Sequence, residues 1–273
     1  MPVPPLHLLT ADQDKRQRYT VDPLLREGWA TLAGVLGAGA ALRFAAETAV
    51  AWLRPDVVAA GAIGEVAARI DAAGFVAVGA AVVRLGRADV RALWWWQLRR
   101  ATAERLLLLD AVAELGPGLV VLYRHPDGDP AQRLTRLKGG NDPSGRAADS
   151  LRSVAGSPNR LLTMVHTSDD PADVVRELAV FLPWRERAAL VASAWACGSP
   201  ASSSAVLDGP LAAVRSAYAG RTGDGVQVRA PQRRGEAFAA LLSDIAVPDM
   251  KWRWPAVAQW SRQVPLLAGG ESR

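Results

Sequence analysis

The chain has 273 residues, half of them apolar, with 18 prolines, three histidines, one cysteine and a net charge of +5. That length holds one large domain, or one of ordinary size with additions. The single Cys197 excludes an internal disulfide and a cysteine metal cluster and points to a reducing, cytoplasmic setting.

His7, His125 and His166 lie far apart, so no metal-ligand cluster is read from the sequence. The positive charge is almost wholly arginine, only Lys15, Lys138 and Lys251 being lysine. Acidic residues nearly balance it, which argues against a nucleic-acid partner. The start lacks the basic-then-apolar layout of a signal peptide. The most apolar stretch, 28–42, is too short to span a bilayer, so a soluble protein with no membrane partner is expected.

In chain order, residues 1–24 are proline-rich and then charged, which suggests a surface arm or disordered tail. Residues 24–46 are rich in alanine and leucine and read as one or two helices. Residues 48–53 form a buried strand ended by Arg54-Pro55-Asp56. A helix follows over 61–73, with Ile63, Val66, Ala67 and Ile70 on one face and Gly74 as its C-terminal stop.

Residues 75–85 read as a second strand. Residues 87–115 read as two helices, the first carrying Trp94-Trp95-Trp96. Three consecutive tryptophans cannot all face one way on a helix, so at least one leaves the core or lines a cleft, where Trp95 or Trp96 is placed to stack on a base. A third strand spans 119–123, His125 sits in a surface turn, and a short helix over 131–138 bears Arg133 and Arg136. Gly139-Gly140-Asn141-Asp142-Pro143 opens a loop containing Arg146, Ser150 and Arg152.

Leu161 to Val165 is apolar and delivers His166 to a strand end. Ser168, Asp169 and Asp170 are candidate N-caps, Pro171 suits a first helical turn, and Val174, Leu178 and Phe181 recur at helical spacing. Glu177 can lean back toward the strand end and fix the imidazole. A histidine with one free ring nitrogen and a carboxylate setting its tautomer is what nucleophilic histidine chemistry needs. Beyond residue 182, a helix over 184–196, a small-residue linker over 198–204 and a helix over 210–218 are expected. A basic loop or hairpin over 219–235, a helix over 236–245 and a tail carrying Trp252, Trp254 and Trp260 follow.

His166-Thr167-Ser168-Asp169, with Glu177 beyond it, resembles the catalytic segment of nucleoside diphosphate kinases. Leu53-Arg54-Pro55-Asp56, Gly64-Glu65 and Ala73-Gly74-Phe75 resemble the opening of that family, and Gly139 to Pro143 its Gly-x-Thr-Asn-Pro loop. The resemblance covers about residues 48–183. It implies an α+β fold, a ferredoxin-like βαββαβ sandwich with a four-stranded antiparallel sheet. Mostly helical N- and C-terminal additions complete the chain, giving segments 1–46, 47–185 and 186–273.

The resemblance further implies ping-pong transfer of the γ-phosphate of a nucleoside triphosphate through a phosphohistidine at His166 to a nucleoside diphosphate or related acceptor. Glu177 and Ser168 would support the histidine, and Mg²⁺ would accompany the nucleotide. Arg54, Arg152, Arg136, Asn141, Thr163 and Trp95 are the candidate phosphate- and nucleotide-binding residues.

Departures are visible. Arg54 replaces a lysine, Thr135 an arginine, Asn141 a threonine and Thr163 an asparagine. They keep two alternatives open, another reaction on a nucleotide-like substrate in the same cleft and a catalytically idle nucleotide-binding or scaffold protein. The additions favour a homo-oligomer other than the family hexamer, a dimer first.

Overall fold

The structure is a computed structural model describing residues 4–197 and 202–219. Four helices come first: α1 (Leu6–Leu9), α2 (Gln13–Thr20), α3 (Pro23–Leu36) and α4 (Ala38–Glu47). A βαβ unit follows, formed by β1 (Ala49–Leu53), α5 (Pro55–Ala59), α6 (Ile63–Ala72) and β2 (Val76–Val83). The helical excursion predicted as two helices is three, α7 (Arg87–Leu93), α8 (Trp95–Leu98) and α9 (Ala103–Glu114). The second half comprises β3 (Gly118–Arg124), α10 (Pro130–Lys138), α11 (Leu151–Val154), β4 (Val165–Thr167) and α12 (Pro171–Phe181). Two more helices, α13 (Trp184–Ala196) and α14 (Ser204–Ala219), end the described chain.

The strands form one antiparallel sheet in the order β2-β3-β1-β4, the ferredoxin-like arrangement expected from the sequence. Central β1 is buried along its whole length, and Trp52 pairs in register with His166. Paired residues on antiparallel strands point to the same face, so the histidine emerges beside Trp52. Phe181 of α12 packs on Trp52 with ring centroids 5.8 Å apart, which sets α12 against that face. The stop predicted at Gly74 is present, with φ +87°, a left-handed conformation that costs glycine little.

Three readings are corrected. Residues 4–22 are not a loose arm: Leu9 and Tyr19 are buried, and Lys15 bridges Asp170 and Asp173 at 2.8 and 2.7 Å. Local composition did not reveal that the charges of α2 match those at the start of α12. The strand predicted before His166 is only Val165–Thr167, because Met164 takes a left-handed backbone (φ 63°) and Asn159 Oδ1 accepts hydrogen bonds from the Leu161 and Leu162 amides. His125 is largely buried rather than a surface residue: its ring stands edge-on to Phe75 at 4.8 Å, and its Nε2 lies 3.1 Å from the Ala73 carbonyl.

Pro210, read as a helix start, lies inside α14, which begins at Ser204. The readings for 220–273 lie outside the described residues, as does most of the 198–204 linker. Among the described residues no single helix is long and apolar enough to cross a membrane.

Candidate active site

Three short-range facts place the histidine. β4 hydrogen-bonds to β1 along one edge, and the Ser168 amide donates to the Val50 carbonyl at 3.0 Å, ending the strand. Asp170 then caps α12 by accepting from the Asp173 amide at 3.1 Å, with Pro171 in the first turn. Glu177, one turn beyond Asp173, therefore returns over the strand end.

His166 Nε2 lies 2.9 Å from Glu177 Oε1, and Ser168 Oγ donates to Glu177 Oε2 at 2.6 Å. An ionised carboxylate only accepts, so Nε2 carries a proton, and the tautomer this selects has its lone pair on Nδ1. Trp94 stands edge-on to the imidazole with centroids 5.6 Å apart, and Phe181 flanks it at 6.5 Å. The His166 side chain is 14% exposed. The arrangement presents one nucleophilic nitrogen, its proton partner fixed on the far side.

The cations bonded to the segment that carries His166 are enclosed. Arg54 is 3% exposed, and its guanidinium donates to Thr163 Oγ1 and, at 3.3 Å, to the Leu161 carbonyl. Its Nε lies 3.3 Å from Asp56, whose other oxygen accepts from the Met164 amide at 3.1 Å. Burial pushes the Arg54 guanidinium below its ordinary pKa while Asp56 holds it up.

Arg152 and Lys138 cover the open edge of β4. Arg152 donates to the Val165 carbonyl at 3.2 and 3.3 Å and to the Gly139 carbonyl at 2.8 Å. Lys138 Nζ donates to the Thr167 carbonyl at 3.4 Å and to Asp169 at 3.2 Å. Burial, then Arg54 and Arg146, lowers Arg152 to about 10. Burial also lowers Lys138, against the pull of Asp169. Buried like charges that depress one another's protonation form a place where an anion is favoured.

Of the residues singled out in the sequence, His166, Glu177 and Ser168 converge. Arg54 and Thr163 are bonded to each other beside them, and Arg152 backs β4. Three are not brought to the histidine. Arg136 is exposed and lines a shallow depression with His125, Arg133 and Phe75, because Thr135 and Lys138 occupy the inward face of α10. Asn141 is exposed in its loop, where its carbonyl accepts from Arg146 at 3.0 Å. Trp95 is 56% exposed, and Trp94 is the tryptophan that meets His166. The helix predicted through the triplet breaks at Trp94 (φ −107°, ψ 29°), which reverses which ring faces inward.

Sequence reasoning missed Trp94, Lys138 and Asp56. Lys138 had a usable signal, its i, i+3 spacing from Thr135 on α10. Thr135 Oγ1 bonds Thr167 Oγ1 at 2.8 Å and Asp169 at 3.1 Å, so it supports the segment around His166 without a charge.

The family model for nucleoside diphosphate kinase matches residues 47–187, just over half the chain. The chain belongs to the nucleoside diphosphate kinase family. A nucleoside diphosphate kinase of Nitrosomonas europaea is 31% identical over 140 residues, 51% of this chain and 94% of the relative. One of Halorhodospira halophila is 29% identical over 138 residues, covering 50% and 93%. Among solved structures, the nucleoside diphosphate kinase of Aquifex aeolicus covers 50% of this chain and 95% of its own at 19% identity, with a TM-score of 0.43. Helices α1 to α3 and α14 fall outside the family match, as does all but the last residue of α4.

Proposed function

We propose that the protein is a phosphotransferase working by ping-pong transfer through His166. The observation that carries this reading is the Ser168–Glu177–His166 chain of hydrogen bonds, which leaves Nδ1 as the free nitrogen. In the first half-reaction the Nδ1 lone pair attacks the γ-phosphorus of a nucleoside triphosphate. The bond to the bridging oxygen breaks, and the nucleoside diphosphate leaves with its electrons. In the second, a terminal oxygen of the acceptor, a nucleoside diphosphate or a related phosphate, attacks phosphorus and the N–P bond breaks.

Glu177 balances the positive charge that the ring acquires on phosphorylation, and Ser168 holds the carboxylate in place. Arg54 and Arg152 supply positive charge to the moving phosphoryl group. Mg²⁺ would come bound to the triphosphate as part of the substrate. We further infer a homo-oligomer, a dimer before a hexamer. Supporting this is the packing of α13 and α14 against β2, the outer strand of the sheet.

A second reading, a nucleotide-binding protein without turnover, draws support from the engagement of Arg54 and Arg152 with protein acceptors. Both must be re-aimed before they grip a phosphate. Intact-protein mass after incubation with Mg²⁺ and ATP, beside His166→Ala, decides between them. An acid-labile gain of one phosphate in the wild type alone is expected. Nucleotide binding without that gain would leave the second reading standing.

A further inference from the structure

Arg176, on α12 next to Glu177, is 2% exposed and takes no part in the chemistry above. All three of its nitrogens are engaged. Nε donates to Asp22 Oδ2 at 2.7 Å, Nη1 to the Leu93 carbonyl at 3.1 Å and Nη2 to the Ala92 carbonyl at 2.6 Å. Those carbonyls belong to the last turn of α7, where a cation is favoured. The next residue is Trp94, whose ring meets both His166 and Arg54.

Asp22 lies before residue 47, outside the family match. Its Oδ1 caps α3, accepting from the Leu24 and Leu25 amides at 2.9 and 3.2 Å, which leaves Oδ2 for Arg176. The same segment grips the start of α12. Thr10 donates to Asp170 at 2.7 Å, Lys15 bonds Asp170 and Asp173, and Tyr19 donates to Asp173 at 2.5 Å while its ring stands 5.5 Å from the Arg176 guanidinium carbon. Arg176 and Glu177 are neighbours on one helix, about 100° apart around its axis. One points to the end of α7 and the other to His166.

We propose that Arg176, anchored by Asp22 of the N-terminal segment, is a positioning residue of the His166 site: it fixes the end of α7 and thereby the Trp94 ring against His166 and Arg54. The role rests on the phosphohistidine reading for its catalytic consequence, and on geometry alone for the placement of the ring. Segment 4–22 thus serves the site although no residue of it touches the histidine.

The test uses the full chain and two readouts. The first is the chemical shift of the His166 imidazole protons, which lie within range of the Trp94 ring current. Trp94→Leu calibrates it, and Arg176→Gln is expected to move it the same way. The second is the single-turnover rate of phosphorylation at saturating Mg²⁺-ATP, expected to fall roughly 10- to 100-fold in Arg176→Gln, the loss typical of a small misplacement. Asp22→Asn keeps an oxygen for the α3 cap but removes the charge, and it stands in if Arg176→Gln fails to fold.

An unmoved resonance in a folded variant overturns the placement. A moved resonance with an unchanged rate overturns the catalytic consequence. If the wild type itself takes up no phosphate, the phosphohistidine reading fails, and the resonance still decides whether Arg176 sets the ring.

Discussion

The guanidinium carbon of Arg54 lies 5.5 Å from the centre of the Trp94 ring, so this cation is held against the same indole that meets His166. A second indole, that of Trp52, lies 5.7 Å away. These rings, with Asp56 and Thr163, make Arg54 a structural residue as well as a candidate phosphate ligand. Removing it by Arg54→Met strands Asp56 as a buried charge, a loss of about 3–5 kcal/mol, read by urea denaturation. Arg54→Lys keeps the charge but not the planar fork. Its phosphorylation rate is expected to stay within about tenfold of the wild type, or about 1.4 kcal/mol.

Glu177 serves two partners, and its substitutions should separate them. Glu177→Gln preserves shape but removes the charge that, on the proposed phosphohistidine mechanism, balances the phosphorylated ring, so a rate loss of roughly 10²- to 10³-fold is expected in a quenched-flow mass assay. Ser168→Ala leaves the charge and deprives Oε2 of its donor. The expected cost is about 1–3 kcal/mol of stability, read by urea denaturation, with a smaller loss of rate than in Glu177→Gln.

The contact between α2 and α12 carries a pH dependence. Burial, with Glu177 and Asp170 alongside, outweighs Lys15 and raises the Asp173 carboxyl from 3.8 to about 6. A raised carboxyl favours folding in its protonated form. Its contribution is therefore fully present below about pH 4 and is lost as pH rises through about 6. Between pH 4 and 7 the unfolding free energy of the wild type should fall relative to that of Asp173→Asn. Parallel curves from urea titrations at each pH would refute this.

Gly28 marks the closest approach of α3 to α12. A Cβ there would sit 2.0 Å from the Val175 carbonyl oxygen, backbone that cannot yield as a side chain does. Gly28→Ala should push the helices apart at a cost of about 1–3 kcal/mol. Because Val175 and Glu177 share a helix, the same variant should slow His166 phosphorylation. A thermal melt and the single-turnover assay check the two effects.

Much of the fold was legible because its signals are local. The apolar run of β1, the face of α6 closed by Gly74 and the cap-and-proline start of α12 each lie within a dozen residues. The His166–Glu177–Ser168 group was legible for the same reason. Trp94 was misread because the helix break that turns it inward depends on tertiary contacts. Lys138 and Asp56 were missed because their partners, Asp169 and Arg54, matter through burial, which spacing does not report. The docking of α2 on α12 joins residues more than 150 positions apart, and complementarity at that range leaves no periodic trace.

The packing of the first helices has a consequence for where this protein can be cut. The family match starts at residue 47, yet Leu25, Trp29, Leu32 and Phe44 belong to the same buried cluster as Trp52, Leu178 and Phe181. The unit that the family model matches is thus smaller than the unit that folds. A fragment trimmed to residue 47 would lose one wall of its interior rather than an appendage, and would leave the back of α12 facing water.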